Sequence, residues 1–122
     1  MHSKIKSLAK KYAAEFIEVR RHLHAHPELS YQEYETSKFV QGKLSEFGIP
    51  FTIMATTGVM GLIEGKNPGS RIIALRADMD AVPIREENDV PYRSKNEGVL
   101  HACGHDVHTT CLLGAAKILN EL

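Results

Sequence analysis

No excess charge of either sign marks this sequence: its 122 residues carry 15 Lys and Arg against 15 Asp and Glu, a formal net charge of zero. With no basic cluster either, a nucleic-acid or membrane-surface role, which needs a patch of positive potential, is not expected. Long apolar runs are also missing, and the longest are far too short to span a bilayer. The start, Met1-His-Ser-Lys4, lacks the apolar stretch of a signal peptide, so the cytoplasm is the expected compartment. Only two cysteines occur, Cys103 and Cys111. A reducing compartment disfavours their pairing, and both read as free thiols. There is no internal repeat, no low-complexity segment and no linker that would divide the chain. What remains, 43% hydrophobic and 25% charged residues, is the composition of a globular chain long enough for one core.

The apolar pattern then predicts elements. Ile5, Leu8, Tyr12, Phe16, Val19 and Leu23 recur at helical spacing, giving an amphipathic helix from Ile5 to about His24 that Pro27 ends. Ser30, with Glu33 three residues later, predicts a capping box for a second helix. Its buried stripe is Tyr34, Phe39, Val40, Leu44 and Phe47, and Gly48 closes it. Pro50 to Ala55, Gly58 to Glu64 and Arg71 to Ala77 read as strands, the last two joined as an antiparallel hairpin by the turn Lys66-Asn-Pro-Gly-Ser70. The unbroken run Ile72 to Leu75 predicts a central strand covered on both faces, with Asp78 and Asp80 at its carboxyl end, where ligands bind in open α/β sheets. Arg85 to Leu100 shows no period and reads as a surface loop long enough to carry function. A last helix follows Asp106, with Val107, Cys111, Leu112, Ala115, Ile118, Leu119 and Leu122 as its buried face.

Ligand chemistry is densest in His101-Ala-Cys-Gly-His-Asp-Val-His108, where one thiol, three imidazoles and a carboxylate share eight residues. Cys103 and His105 flank Gly104, so in an extended segment their side chains leave the same side of the backbone and meet at one point. Thiolate with imidazole suits zinc or a similar divalent ion. Taken alone, a Cys-x-His is more often a small buried cysteine beside satisfied histidines, because two ligands do not complete a structural site. Asp106 reads as the N-cap of the last helix ahead of a direct metal ligand. Asp78 and Asp80 taken alone could equally be strand-end turn residues. His22, His24 and His26 suit the negative end of a helix dipole. His108 could reach a substrate carboxylate or pack on the first helical turn, and His101 is a weaker candidate.

Three segments in order, Arg21-His-Leu-His-Ala-His-Pro-Glu-Leu-Ser30, Arg76-Ala-Asp-Met-Asp-Ala-Val-Pro-Ile84 and His101-Ala-Cys-Gly-His-Asp-Val-His-Thr-Thr110, carry a resemblance. From about Ile17 to Leu122 the chain closely resembles the amidohydrolase branch of the co-catalytic metallopeptidases: hippurate hydrolases, N-acyl-amino-acid amidohydrolases and plant indole-3-acetyl-amino-acid hydrolases. The resemblance implies an α/β fold, a three-layer zinc-peptidase-like catalytic domain with a mixed sheet between helices. Residues 1–122 would be its N-terminal portion, ending before the remaining metal ligands and the dimerisation domain. It implies metal-dependent hydrolysis of the amide bond of N-acyl-amino acids or small peptides by water that two divalent ions activate, zinc or manganese, in a longer, homo-oligomeric protein. The piece alone is expected to be inactive. Cys103 and His105 match two metal ligands, and Asp80 matches the aspartate that orients a ligand imidazole by its second nitrogen. Asp78, where related metallopeptidases place a ligand histidine, Asp106 and His108 are candidates for contact with substrate or with a ligand's far side. The family's further ligands, a glutamate and two histidines, and its general-base glutamate match no position here. Two rival readings are a non-catalytic scaffold or truncated remnant with at most one weak metal, and a thiol nucleophile in which His105 activates Cys103 at a helix start.

Overall fold

The computed structural model describes all of residues 1–122, in the order α1 (His2–Ala25), α2 (Tyr34–Glu46), β1 (Phe51–Met54), β2 (Gly58–Gly61) and α3 (His105–Glu121). The 3.6-residue period predicted for the first segment buries Leu8, Val19 and Leu23 on one face of α1, with Phe16 packed beside them. The helix stops where expected. The His26 N–H closes onto the carbonyls of His22 and Leu23, and buried Pro27 has no N–H with which to continue. None of the helices is long and apolar enough to cross a membrane.

The start of α2 departs from the capping box. Tyr31 adopts a left-handed conformation (φ 63°), turning the chain so that the Ser30 hydroxyl donates to Asp80 instead of along the helix. The first-turn donors of α2 go to Glu28, whose carboxylate accepts the N–H groups of Glu35 (3.1 Å) and Thr36 (2.6 Å) and the Thr36 hydroxyl (2.6 Å). Glu33 turns back to accept the Tyr31 N–H (2.8 Å) and the Thr57 hydroxyl (2.9 Å). The buried face of α2 is Thr36, Ser37, Val40 and Leu44, while Tyr34, expected inside, is exposed. Gly48 closes the helix at φ 71°, as glycine does at this position, and delivers Ile49 into the core.

The hairpin forms one turn earlier than predicted. β1 and β2 pair antiparallel from Phe51↔Gly61 to Met54↔Gly58, around Ala55-Thr56-Thr57. Only glycine fits at position 58, because a Cβ there would lie 2.7 Å from the Met54 carbonyl oxygen. The predicted hairpin around Lys66–Ser70 is absent. Residues 71–79 make no backbone–backbone hydrogen bond, and Ile72 and Ile73 are 93% and 76% exposed. An apolar run becomes a strand only when a neighbour supplies its ladder; β2 is committed to β1 and ends at Gly61, so no strand of this chain reaches residues 71–77.

The core gathers Val19, Leu23, Val40, Leu44, Ile49 and Leu113 from α1, α2, the turn after it and α3. α3 is rotated away from its expected face. It buries Asp106, Thr109, Thr110 and Leu113, whereas Cys111, Val107 and Leu119 are exposed. The buried Asp106 carboxylate is paired by His24 and Arg20, and singly exposed Val or Leu side chains are ordinary at a surface. Residues 81 and 82 are pinned on both sides: the Ala81 N–H bonds the Glu28 carbonyl (2.7 Å), and Val82 and Leu100 exchange two bonds of 3.0 Å. The loop from Arg85 to Leu100 lies on the surface but is tied to the end of α1. The Lys95 N–H bonds the Ala25 carbonyl (2.8 Å), Asn96 Nδ2 bonds the Pro27 carbonyl (3.0 Å), and Glu86 and Val99 are buried.

Candidate metal centre

The segment holding Cys103 and His105 is bent, not extended. Gly104 is left-handed (φ 82°, ψ 15°) and is itself the N-cap of α3, its carbonyl accepting the N–H groups of Val107 and His108, each at 3.0 Å. His105 therefore opens the helix and Asp106 lies inside its first turn, so the predicted Asp106 N-cap does not form. A Cβ on Gly104 would meet nothing closer than His108 Nε2 at 3.9 Å, so the demand for glycine is conformational. Gly104→Ala is expected to destabilise the chain by about 1–2 kcal/mol, the cost of left-handed backbone for an L-residue. Urea denaturation checks this; an unchanged midpoint would show that the bend is not needed.

The structure brings His105 to Asp80. The ring Nδ1–H donates to Asp80 Oδ1 (2.9 Å) and to the Asp80 carbonyl (3.0 Å), while Asp80 Oδ2 accepts the Ser30 hydroxyl. That hydroxyl holds the Asp80 carboxyl below the usual carboxylate range; partial burial opposes the shift and His105 adds to it. With Nδ1 committed, His105 keeps Nε2 as its free lone pair. Cys103 is an exposed free thiol on the solvent side of the bend. The His108 ring lies 5.7 Å from that of His105. The Thr109 hydroxyl bonds the Asp78 carbonyl (3.0 Å), tying α3 to the same segment, but the Asp78 carboxylate turns outward to Arg76 Nη2 (2.8 Å) and Nε (3.1 Å).

Asp106 points the other way, into the protein. It is 1% exposed, accepts His24 Nδ1–H on Oδ2 (2.8 Å), and has Arg20 Nε 3.0 Å from the same oxygen, an ion pair not aligned as a hydrogen bond. His24 donates its other N–H to Glu86 Oε1 (2.7 Å), so all the hydrogen bonding of its ring is used internally. His22 stacks between Phe39 and His26, and burial and the neighbouring His26 push its pKa down. Sequence reading missed Glu86. Nothing in Arg85-Glu-Glu87 distinguishes the buried carboxylate from its exposed neighbour, and only the approach of α1 selects it. His101 is buried with both ring nitrogens unpartnered, and burial lowers its pKa against the pull of Asp106.

Glu86 carries a pH prediction. Burial alone would raise its carboxyl, but the Ser94 N–H (2.5 Å), His24 and Asn88 outweigh it and hold it below the ordinary value. A depressed folded pKa stabilises above the unfolded value, here 4.5, and that stabilisation is lost as pH falls through the folded value. Glu86→Gln is thus expected to lower the melting temperature near neutrality and to flatten its fall between pH 5 and pH 3, the window around that value. Parallel melting-temperature curves for parent and variant across that range would refute it.

No three His, Cys, Asp or Glu side chains of this chain come together as a metal cage. The donors present nevertheless suit a divalent ion. An imidazole whose Nδ1–H is held by a carboxylate, with Nε2 free and an accessible thiol two residues earlier, is the arrangement that metal-ligating histidines show.

Comparison with known proteins bears on the same residues. Residues 74–122, which contain Asp78, Asp80, Cys103 and His105, match the family model for Peptidase family M20/M25/M40. The chain is 52% identical over 119 residues to the N-acyl-L-amino acid amidohydrolase of Geobacillus stearothermophilus, covering 97% of this chain and 32% of that protein. The solved YxeP protein of Bacillus subtilis, described as a dinuclear metal binding peptidase from the M20 family, superposes with a TM-score of 0.87 at 45% identity, over 92% of this chain and 32% of that one. A protein described as an aminohydrolase from methicillin resistant Staphylococcus aureus superposes with a TM-score of 0.94 at 37% identity, over 100% of this chain and 31% of that one. The chain spans about a third of the length of these relatives. In its motif-bearing segment, in its identity to these proteins and in its fold, the chain is similar to members of peptidase family M20/M25/M40.

Proposed function

We propose that residues 1–122 form the N-terminal portion of the catalytic domain of a metal-dependent amidohydrolase that cleaves the amide bond of N-acyl-amino acids or small peptides. Cys103 and His105 are two of its metal ligands, and Asp80 orients His105. The observation that carries this reading is the Asp80–His105 contact, which commits Nδ1 and leaves Nε2 free, with an exposed thiol two residues earlier in the chain. Bound divalent ions, zinc or manganese, would supply polarisation of the amide carbonyl and a water of lowered pKa. This chain's own part is to hold the ligand pair, through the left-handed Gly104 and the Ser30–Asp80–His105 relay. The substrate class follows the name of the Geobacillus relative, and the pair of ions follows the description of the Bacillus structure. The remaining ligands, the general base and a dimerisation domain belong to sequence beyond these residues, and the whole protein acts as a homo-oligomer in the cytoplasm.

The test is hydrolysis of a panel of N-acyl-amino acids by the protein at its natural length, before and after chelation, with metal content measured in parallel. Chelation should abolish turnover, and zinc or manganese should restore it. Turnover that survives chelation but is lost on alkylation of Cys103 would overturn the reading in favour of a thiol nucleophile.

A further inference from the structure

The first turn of α3 is held from two sides. On one, His105 meets Asp80 (2.9 Å) and Thr109 meets the Asp78 carbonyl (3.0 Å). On the other, Asp106 is clamped by a buried chain of charged groups. Its Oδ2 accepts His24 Nδ1–H (2.8 Å) and pairs with Arg20 (3.0 Å), and His24 Nε2–H reaches Glu86 (2.7 Å), which the Ser94 N–H and the Arg93 guanidinium anchor in the loop. His24 and Glu86 are 5% and 3% exposed, and the Tyr92 ring lies edge-on to His24 and beneath Arg20 and Arg21.

Apolar packing alone would hold α3 against α1 and would tolerate small rotations. Charged hydrogen bonds in a buried chain are stricter, because donor and acceptor must meet in both distance and direction. Buried ion pairs are also a poor source of net stability, so this clamp is better explained by what it orients. Successive helical residues point about 100° apart. Pinning Asp106 into the face of α1 therefore determines where its neighbour His105 points, which is towards Asp80.

We propose that Asp106 is a positioning residue: clamped by His24, Glu86 and Arg20, it sets the rotation of the first turn of α3 so that His105 meets Asp80 through Nδ1 and presents Nε2. Its consequence for metal binding rests on the reading of His105 as a ligand; the orientation itself does not.

The experiment uses the metal-stripped protein at its natural length, with Asp106→Asn and a control, Leu113→Ala, which weakens the core on the same helix without touching the clamp. Crystal structures of the metal-free variants give the His105–Asp80 contact, and cobalt(II) titration through the thiolate-to-metal absorption band gives affinity. Asp106→Asn should open the contact beyond about 3.5 Å and weaken cobalt about tenfold or more, the range seen when a ligand's outer support is removed. Leu113→Ala should lower the melting temperature while keeping the contact and an affinity within about twofold of the parent. If Asp106→Asn does not fold, Glu86→Gln replaces it and should weaken cobalt by at least about threefold. An unchanged contact and affinity in the clamp variant, or equal losses in Leu113→Ala, would overturn the proposal. A parent protein whose cobalt spectrum lacks the thiolate band would instead sink the ligand assignment, and the metal-free structures would still decide the orientation.

Discussion

Cys103→Ala, made in the protein at its natural length, should strip the bound metal and reduce turnover to background, whereas Cys111→Ala should leave both within about twofold, because exposed positions away from special features rarely matter. The two thiols lie on one short stretch but in different settings. Cys103 stands at the bend before α3, two residues from an imidazole whose Nδ1 is already held by Asp80. A thiolate there completes a donor pair, and alanine supplies none. Cys111 was expected on the buried face of α3, where its loss would cost on the order of 1 kcal/mol. The rotation of α3 exposes it instead, so the expected stability change shrinks to within about 0.5 kcal/mol. Metal content by mass spectrometry, turnover and thermal melts distinguish the two variants. Equal metal loss in both would remove the special role of Cys103.

Residues 1–122 expressed by themselves should show no amide hydrolysis and should bind divalent metal only weakly. A catalytic zinc site takes three protein ligands, and here no three candidate side chains converge. With the general base proposed to lie outside these residues, the expected loss includes a further factor of roughly 100 to 10,000 in rate. The isolated piece also exposes Ile53, Met54, Met60, Leu62, Ile72, Ile73 and Leu75 along the hairpin and the unpaired segment after it. Open backbone next to exposed apolar side chains invites association, so size-exclusion chromatography should show oligomers that grow with concentration. Assay of an N-acyl-amino acid with added manganese or zinc, with affinity by calorimetry, tests the rest. Tight stoichiometric binding of two ions, or chelator-sensitive turnover near that of the longer protein, would mean that the remaining ligands are already here.

Features encoded within a few residues were determined by the sequence itself. The period of Leu8, Val19 and Leu23 makes α1 amphipathic, Pro27 stops it, and Gly48 ends α2, because spacing, a missing N–H and a tolerated positive φ are local properties. That a thiol and an imidazole flank Gly104 was legible in the same way, as was the likeness of three motifs to a family. The cap of α2, the position of the hairpin, the face of α3 and the role of Glu86 were not. Glu28 caps in place of Ser30 because Tyr31 turns the chain. Residues 71–77 fail to pair although their apolar run reads as a strand, since pairing is a property of two segments. His24 meets Asp106 and Glu86 across 82 and 62 residues of sequence, and nothing local tells a carboxylate which distant imidazole will hydrogen-bond to it. Only the tertiary structure decided those contacts. A buried charge takes whichever partner the packing of the helices brings within hydrogen-bond reach, and here that choice turns α3 so that His105 faces Asp80.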